Sequence, residues 1–156
     1  MLYPLSYGEN PMYPRACDFQ VVRKDDNAGL GVLSHRHFYA GELLAIMHGK
    51  IVTEIRQHTL QIEPGKHMLD KYFAGYFLHS CEPNISLDML SNTVTSLKEI
   101  KPGQFLYMDY AQTESVLFKQ FFCGCDSTKC RGWITGKDES PVALLAAPDV
   151  DATKIG

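Results

Sequence analysis

The sequence predicts a β-dominated body built from several small sheets, and three observations support this. Short runs rich in Val, Ile, Phe, Tyr and Leu recur between Gly, Pro and Asn, which is the spacing of strands and tight turns. Only two stretches, 71–77 and 113–122, are suited to short helices. The length of 156 residues suits one core at roughly 100–200 residues per domain. A hydrophobic content of 45% and a charged content of 21% belong to a globular chain and argue against disorder of the body.

In order along the chain, residues 1–17 are interrupted by Pro4, Pro11 and Pro14 and carry Tyr3, Tyr7 and Tyr13. This is the composition of an arm laid over a domain. Strands are predicted over 18–23, 31–33, 42–48, 50–53, 58–62, 85–87, 93–97 and 104–109. Two segments look alike, 38–44 and 100–106, each an apolar anchor, a Gly-containing turn and a new strand. Two copies do not make a repeat. Residues 137–156 lose strand alternation towards the end and read as a tail with a mobile end.

Composition narrows the partners. A formal charge of −3 with Lys and Arg scattered among acids gives no basic stripe for nucleic acid, and it tolerates a basic protein. No cationic segment followed by an apolar stretch opens the chain, and no apolar run approaches the roughly 20 residues of a membrane span. An intracellular location, cytoplasmic or nuclear, with no membrane partner is the expectation.

The five cysteines carry the most specific chemistry. Three stand as Cys123-x-Cys125-x4-Cys130, a spacing that favours a metal over a disulfide framework. A structural zinc takes four ligands in a tetrahedron, so one is missing locally. The fourth is Cys17, Cys81 or a histidine. With four thiolates the site is closed to water, hence structural and not catalytic.

Four ordered motifs then point further. Gly29-Leu30-Gly31-Val32 with Gly41-Glu42 and the segment 49–53 comes first. His79-Ser80-Cys81-Glu82-Pro83-Asn84 follows, then the segment 103–110 ending in Asp109-Tyr110, then Phe122-Cys123-Gly124-Cys125 with Cys130-Arg131-Gly132. Over about residues 18–136 the chain resembles the SET-domain protein lysine methyltransferases that carry a post-SET zinc loop.

The resemblance implies small curved, β-clip-like sheets with a pseudoknot around the His-Ser-Cys segment and a C-terminal zinc loop. Its boundaries are an arm over 1–17, a SET domain over 18–118, a post-SET loop over 119–136 and a tail over 137–156. It nominates Cys81 as the fourth zinc ligand beside Cys123, Cys125 and Cys130. It implies S-adenosylmethionine bound by Ala28, Gly29, Leu30, Gly31, Leu78, His79, Tyr110 and Trp133, and a basic protein or peptide carrying the target lysine. Tyr110 is its catalytic residue. A homodimer is one way for so short a chain to complete a peptide groove.

The chemistry suits these residue types. Methyl transfer from a sulfonium to an amine is an in-line displacement, so alignment and exclusion of water matter most. The amine must be neutral, and an apolar channel lowers a lysine pKa. A phenol of pKa about 10 is a poor base at neutral pH, so Tyr110 is assigned to orientation. Glycines at 29 and 31 let the backbone approach a ligand closely. The sequence also departs from the family pattern. Leu78 stands where the family has Asn, the 70–77 stretch is short and lacks Gly-Asn and Arg, a channel tyrosine is replaced near His58, and Met108 replaces Phe or Tyr. Met108 leads to the expectation of methylation beyond the first methyl. Leu78 motivates a second reading, a catalytically silent SET-like module that binds a basic peptide or partner.

Overall fold

A computed structural model describes residues 1–142, so the tail expected over 137–156 lies outside the described residues from 143 onward. In chain order the first strands are β1 (Phe19–Asp25), β2 (Gly29–Ser34), β3 (Leu43–Ile46), β4 (Lys50–Val52), β5 (Thr59–Glu63) and β6 (Lys66–Leu69). β7 (Leu78–His79), β8 (Ile85–Asp88), β9 (Thr93–Ser96) and β10 (Tyr107–Met108) follow, then the single helical turn α1 (Tyr110–Thr113), β11 (Phe121–Phe122) and β12 (Trp133–Ile134). β1 and β2 form a hairpin, β3-β9-β8 and β4-β6-β5 form three-stranded sheets, and β11 pairs with β12, all antiparallel. Among the described residues β7 and β10 make the one parallel pair, Leu78 opposite Tyr107 and His79 opposite Met108. That pair brings the His-Ser-Cys segment to the strand that leads into Tyr110.

Asn84 ties the crossing down from both sides. Its amide donates to the Phe105 carbonyl (2.9 Å), its side-chain oxygen accepts from the Tyr107 N–H (2.8 Å), and its own N–H reaches the Tyr107 carbonyl (3.0 Å). The two look-alike segments face each other: Phe38 and Ile100 exchange both backbone hydrogen bonds (2.8 and 2.9 Å), and each turn has a glycine at positive φ, Gly41 at 83° and Gly103 at 89°. Their likeness is therefore paired turn chemistry.

The core runs beneath the sheets. Phe19 and Phe38 stack at 5.7 Å, Phe73 meets Phe19 at 5.0 Å, and Met47, Met68, Ile85, Val94, Ile100 and Leu106 fill the space between. Residues 1–17 lie over this body through Tyr3, which is 3% exposed. The Tyr3 hydroxyl donates to Asp70 Oδ2 (2.6 Å) and accepts from the His48 N–H (3.0 Å). Asp70 is fully buried and also accepts from the N–H groups of Tyr72, Phe73 and Ala74, each at 2.9 Å. It thereby shapes the 3-10 turn Ala74–Tyr76.

Two helical expectations change. Over 71–77 only that 3-10 turn forms. The helix expected over 113–122 is instead the four-residue α1, begun by Asp109, whose carboxylate caps the Ala111 N–H (3.1 Å). It stops at Glu114 because tertiary partners take over: Gln61 bonds both Glu114 and Ser115, and Gly136, Lys137 and Asp138 pack back on the same stretch.

Candidate active site and metal centre

The turn between β1 and β2, the 3-10 turn, α1 and the segment after it surround one cavity of about 420 Å³. Asp25 Oδ1 accepts from the Ala28 N–H (2.6 Å), and Gly29 turns the chain at φ 70°. A β-carbon at Gly29 would meet nothing within 4 Å. Ala28, Gly29 and Leu30 thus present backbone and open space at one side of the cavity. Gly31 has a different reason: a β-carbon there would come within 2.7 Å of Leu78 Cδ1 and 3.0 Å of Phe105. Its smallness serves internal packing against Leu78.

Tyr110 begins α1 and lies on the cavity wall. Its hydroxyl donates to the Phe77 carbonyl (2.6 Å), and its N–H donates to His79 Nδ1 (3.1 Å). Burial, with the Glu114 carboxylate beside it, holds the phenol above its ordinary pKa. It is a neutral group that can orient a nitrogen and does not abstract a proton. Leu78, Met108, Phe77 and Phe121 line the same wall, with Phe121 edge-on to Tyr110 at 5.8 Å.

His79 sits behind Tyr110 with a side chain only 2% exposed. Burial brings its pKa down to about 4, so it is neutral at physiological pH. Because Nδ1 accepts from the Tyr110 N–H, the proton sits on Nε2, which lies 3.6 Å from Cys81 Sγ. One imidazole therefore touches both the backbone of Tyr110 and the cysteine cluster.

That cluster is Cys81, Cys123, Cys125 and Cys130, whose Sγ atoms all lie within 4.8 Å of one another. Four thiolates about 2.3 Å from a zinc sit about 3.8 Å apart, so this donor set fits a tetrahedral ion with small adjustments. Backbone N–H groups are aimed at the sulfurs, Arg131 to Cys81 (3.3 Å) and Gly132 to Cys130 (3.5 Å). The thiols are already differentiated. Burial pushes Cys123 up to about 12, whereas at Cys125 burial is outweighed by hydrogen bonds from the Ser127 and Cys81 backbone and from neighbouring thiols, leaving it at about 6. Cys17 is exposed and lies outside the group. Arg131 anchors the loop by a bidentate pair with Asp109 (2.8 and 2.7 Å), the cap of α1, and holds that carboxylate below its usual range against the effect of burial.

Of the residues singled out from sequence, Ala28, Gly29, Leu30, Leu78 and Tyr110 converge on the cavity and the four cysteines on one another. Gly31, His79 and Trp133 lie outside the lining; Trp133 pairs with Phe122 and donates from Nε1 to Gln120 (2.8 Å). Phe121, two residues before Cys123, lines the cavity instead. Sequence reading missed Phe121, Leu117 and the buried Glu114. A Tyr110-x3-Glu114 spacing would have flagged Glu114, had the helical turn been placed at Asp109.

Comparison with known proteins places this architecture. No family model matches the chain. It is 26% identical over 143 residues to histone-lysine N-methyltransferase Set2 of Drosophila melanogaster, covering 76% of this chain and 6% of that protein. Among solved structures, KRYPTONITE in complex with mCHG DNA and S-adenosylhomocysteine (SAH) superposes with a TM-score of 0.60 at 23% identity, over 74% of this chain and 28% of that one. The methyltransferase domain of human SETMAR gives a TM-score of 0.58 at 16% identity, over 76% of this chain and 58% of that one. The chain thus spans a small part of Set2 and under two thirds of either structure. It has the fold seen in these SET-domain structures, and in sequence it is similar to the histone-lysine N-methyltransferase Set2.

Proposed function

We propose that the chain is an S-adenosylmethionine-dependent protein lysine N-methyltransferase. The observation that supports this most directly is that one cavity joins the open turn at Ala28–Leu30 to Tyr110 and an apolar wall of Phe77, Leu78, Met108 and Phe121. Its volume falls within the roughly 300–1,000 Å³ of small-molecule sites. Ala28, Gly29, Leu30, Leu78 and Tyr110 would hold the cofactor, which supplies a methyl group on a positively charged sulfur. Cys81, Cys123, Cys125 and Cys130 would hold one zinc, which closes the C-terminal loop over the wall that carries Phe121.

The chain's own residues then do three things. Apolar and aromatic side chains strip water from an entering lysine, which disfavours its charged form. Tyr110, fixed through its hydroxyl to Phe77 and through its N–H to His79, sets the angle of approach. Met108, 1% exposed, offers no hydroxyl to tether the amine, which leaves an already methylated nitrogen free to rotate. A basic peptide is the substrate class that suits a chain of charge −3. Among the described residues no helix is long and apolar enough to cross a membrane.

A specific observation favours a second reading. Leu78 places an alkyl group on the cavity wall where the family pattern has an amide, which removes polar contacts a cofactor would use. On that reading the fold binds a basic peptide without transferring methyl. Incubating the protein with labelled S-adenosylmethionine and a mixed pool of basic proteins separates the two. Label on lysine supports the enzyme; binding of SAH without any transfer supports the silent module.

A further inference from the structure

Glu114 is a buried carboxylate with one oxygen unused. It is 7% exposed. Oε2 accepts from the Gln61 N–H (2.8 Å) and from Thr113 Oγ1 (2.7 Å). Among the described residues Oε1 has no hydrogen-bond partner, yet it is not sealed off, and the residue lines the cavity. Glu114 also pairs with no Lys, Arg or His among them. Buried charges are normally paired. Here the missing partner has a direction, because residues four apart on a helical turn share a face, and Tyr110 and Glu114 both line this cavity.

We propose that Glu114 is the cation site of the cavity, receiving the ammonium group of the substrate lysine on Oε1 and taking one of its protons. This rests on the lysine methyltransferase reading. The step balances simply: an N–H bond breaks, its electron pair stays on nitrogen as the lone pair that will attack, and an O–H bond forms on Glu114. The proton then leaves to solvent through the cavity mouth. Burial raises the Glu114 pKa from the ordinary carboxylate value, which suits a proton acceptor at neutral pH. The other charged or titratable groups on the cavity are Tyr110 on its own turn, Arg56 and His58 before β5, Tyr76 on the 3-10 turn and Lys119 beyond it. Lys137, whose N–H donates to the Glu114 carbonyl (3.0 Å), packs on Glu114 itself, and Asp138 and Glu139 pack on the residues just after it. Lys137 opposes the rise in pKa, and Tyr110 stays neutral.

The Gln61 amide, bonded to Oε2, reports the charge on Glu114 without any turnover. Its proton shift is followed by NMR through a pH titration, alone and with n-butylammonium chloride, n-butanol, SAH or S-adenosylmethionine. The expected midpoint lies above that of a free glutamate and falls by about one unit or more with n-butylammonium, since a bound cation favours the ionised form, while n-butanol leaves it in place. Glu114→Gln keeps an oxygen for Gln61 and Thr113. It should bind SAH normally, weaken n-butylammonium about tenfold or more, and lower kcat/KM about 10²-fold with loss of the acid limb of the pH profile.

A midpoint indifferent to n-butylammonium overturns the proposal even if the protein methylates lysine. A response to S-adenosylmethionine but to neither n-butylammonium nor SAH overturns it too, by assigning the carboxylate to the sulfonium. An unchanged pH profile and KM in Glu114→Gln would do the same. A response to n-butylammonium in a protein that transfers no methyl upholds the cation site and removes the methyltransferase reading instead. Should Glu114→Gln fail to fold, the n-butylammonium and n-butanol arms on the parent protein still decide.

Discussion

The body between Phe19 and Met108 and the loop from Phe121 to Ile134 stay in place by different physics. The body packs aromatic and aliphatic side chains from every sheet into one continuous core. The loop buries only Cys123 and Ile134, which pack with Leu117 just before it and with the other three clustered cysteines, Phe121 and Tyr110. Its two strands are two residues long and Phe122 is 75% exposed. So little apolar burial does not order a loop, because each residue fixed costs about 1–2 kcal/mol of backbone entropy. The body folds on its core; the loop depends on what holds the four sulfurs together.

Removing a ligand is the strongest way to test that difference. Structural zinc contributes apparent values of about 10–16 kcal/mol in small metal-dependent units. Cys125→Ser, or treatment with a chelator, is expected to abolish hydrogen-exchange protection at Phe121–Phe122 and Trp133–Ile134 while β1 and β2 keep theirs. Uniform loss across the chain would show that the two regions are one cooperative unit. Ligation requires thiolates, so metal affinity should fall as pH is lowered and the sulfurs take up protons. The complementary change in the body is Phe38→Ala. Phe38 is fully buried against Phe19, and the substitution is expected to lower global stability by about 3–5 kcal/mol in a denaturant titration, with zinc content at saturating metal unchanged.

Tyr110 stands at the joint between the regions, tied to the body through Phe77 and to the cysteine cluster through His79 and Cys81. Tyr110→Phe keeps the ring and the N–H. It is expected to retain fold, zinc and cofactor binding while the methyl-transfer rate drops about 10²-fold, the cost of one lost hydrogen bond in a preorganised site. Single-turnover kinetics against a lysine peptide checks this, and equal rates in mutant and parent would leave the hydroxyl only its structural bond to Phe77.

How far the sequence was legible follows the same division. Strands with alternating burial, such as Thr93–Ser96, announce themselves. β6 does not, because His67, Met68 and Leu69 are buried in succession between β4 and β5, and a strand covered on both faces loses its period of two. The spacing of Cys123, Cys125 and Cys130 indicated a metal, but only the resemblance, and then the fold, joined Cys81 to it across some forty residues of chain. α1 was placed three residues late because its start depends on a side-chain cap at Asp109 and its end on Gln61, far away in sequence. That shift hid Glu114. Local pattern reports local partners, whereas the end of α1 and the place of Cys81 were decided by distant ones.

The arm offers the smallest effect and a contrast with the zinc loop, since it combines aromatic packing on the core with a hydrogen bond to one buried carboxylate. Tyr3→Phe removes the donor to Asp70 and the acceptor for the His48 N–H while keeping the ring among Tyr7, Tyr13 and Phe73. The cost at neutral pH should be about 1–3 kcal/mol, the range for leaving a buried polar partner unsatisfied. The pH dependence follows from Asp70. Burial raises its pKa above the unfolded value, so the folded state binds more protons and stability falls as pH rises from the unfolded value through the folded one. The Tyr3 hydroxyl counteracts that rise by stabilising the ionised carboxylate. Without it the folded pKa climbs further, so Tyr3→Phe should lose most at neutral pH and recover part of the loss as acid protonates Asp70. Thermal unfolding of parent and mutant from pH 7 down towards pH 4.5 checks this. A deficit that stays constant with pH would mean that the arm is held by its aromatic packing alone, as the body is, and not by the carboxylate that shapes the 3-10 turn on the cavity wall.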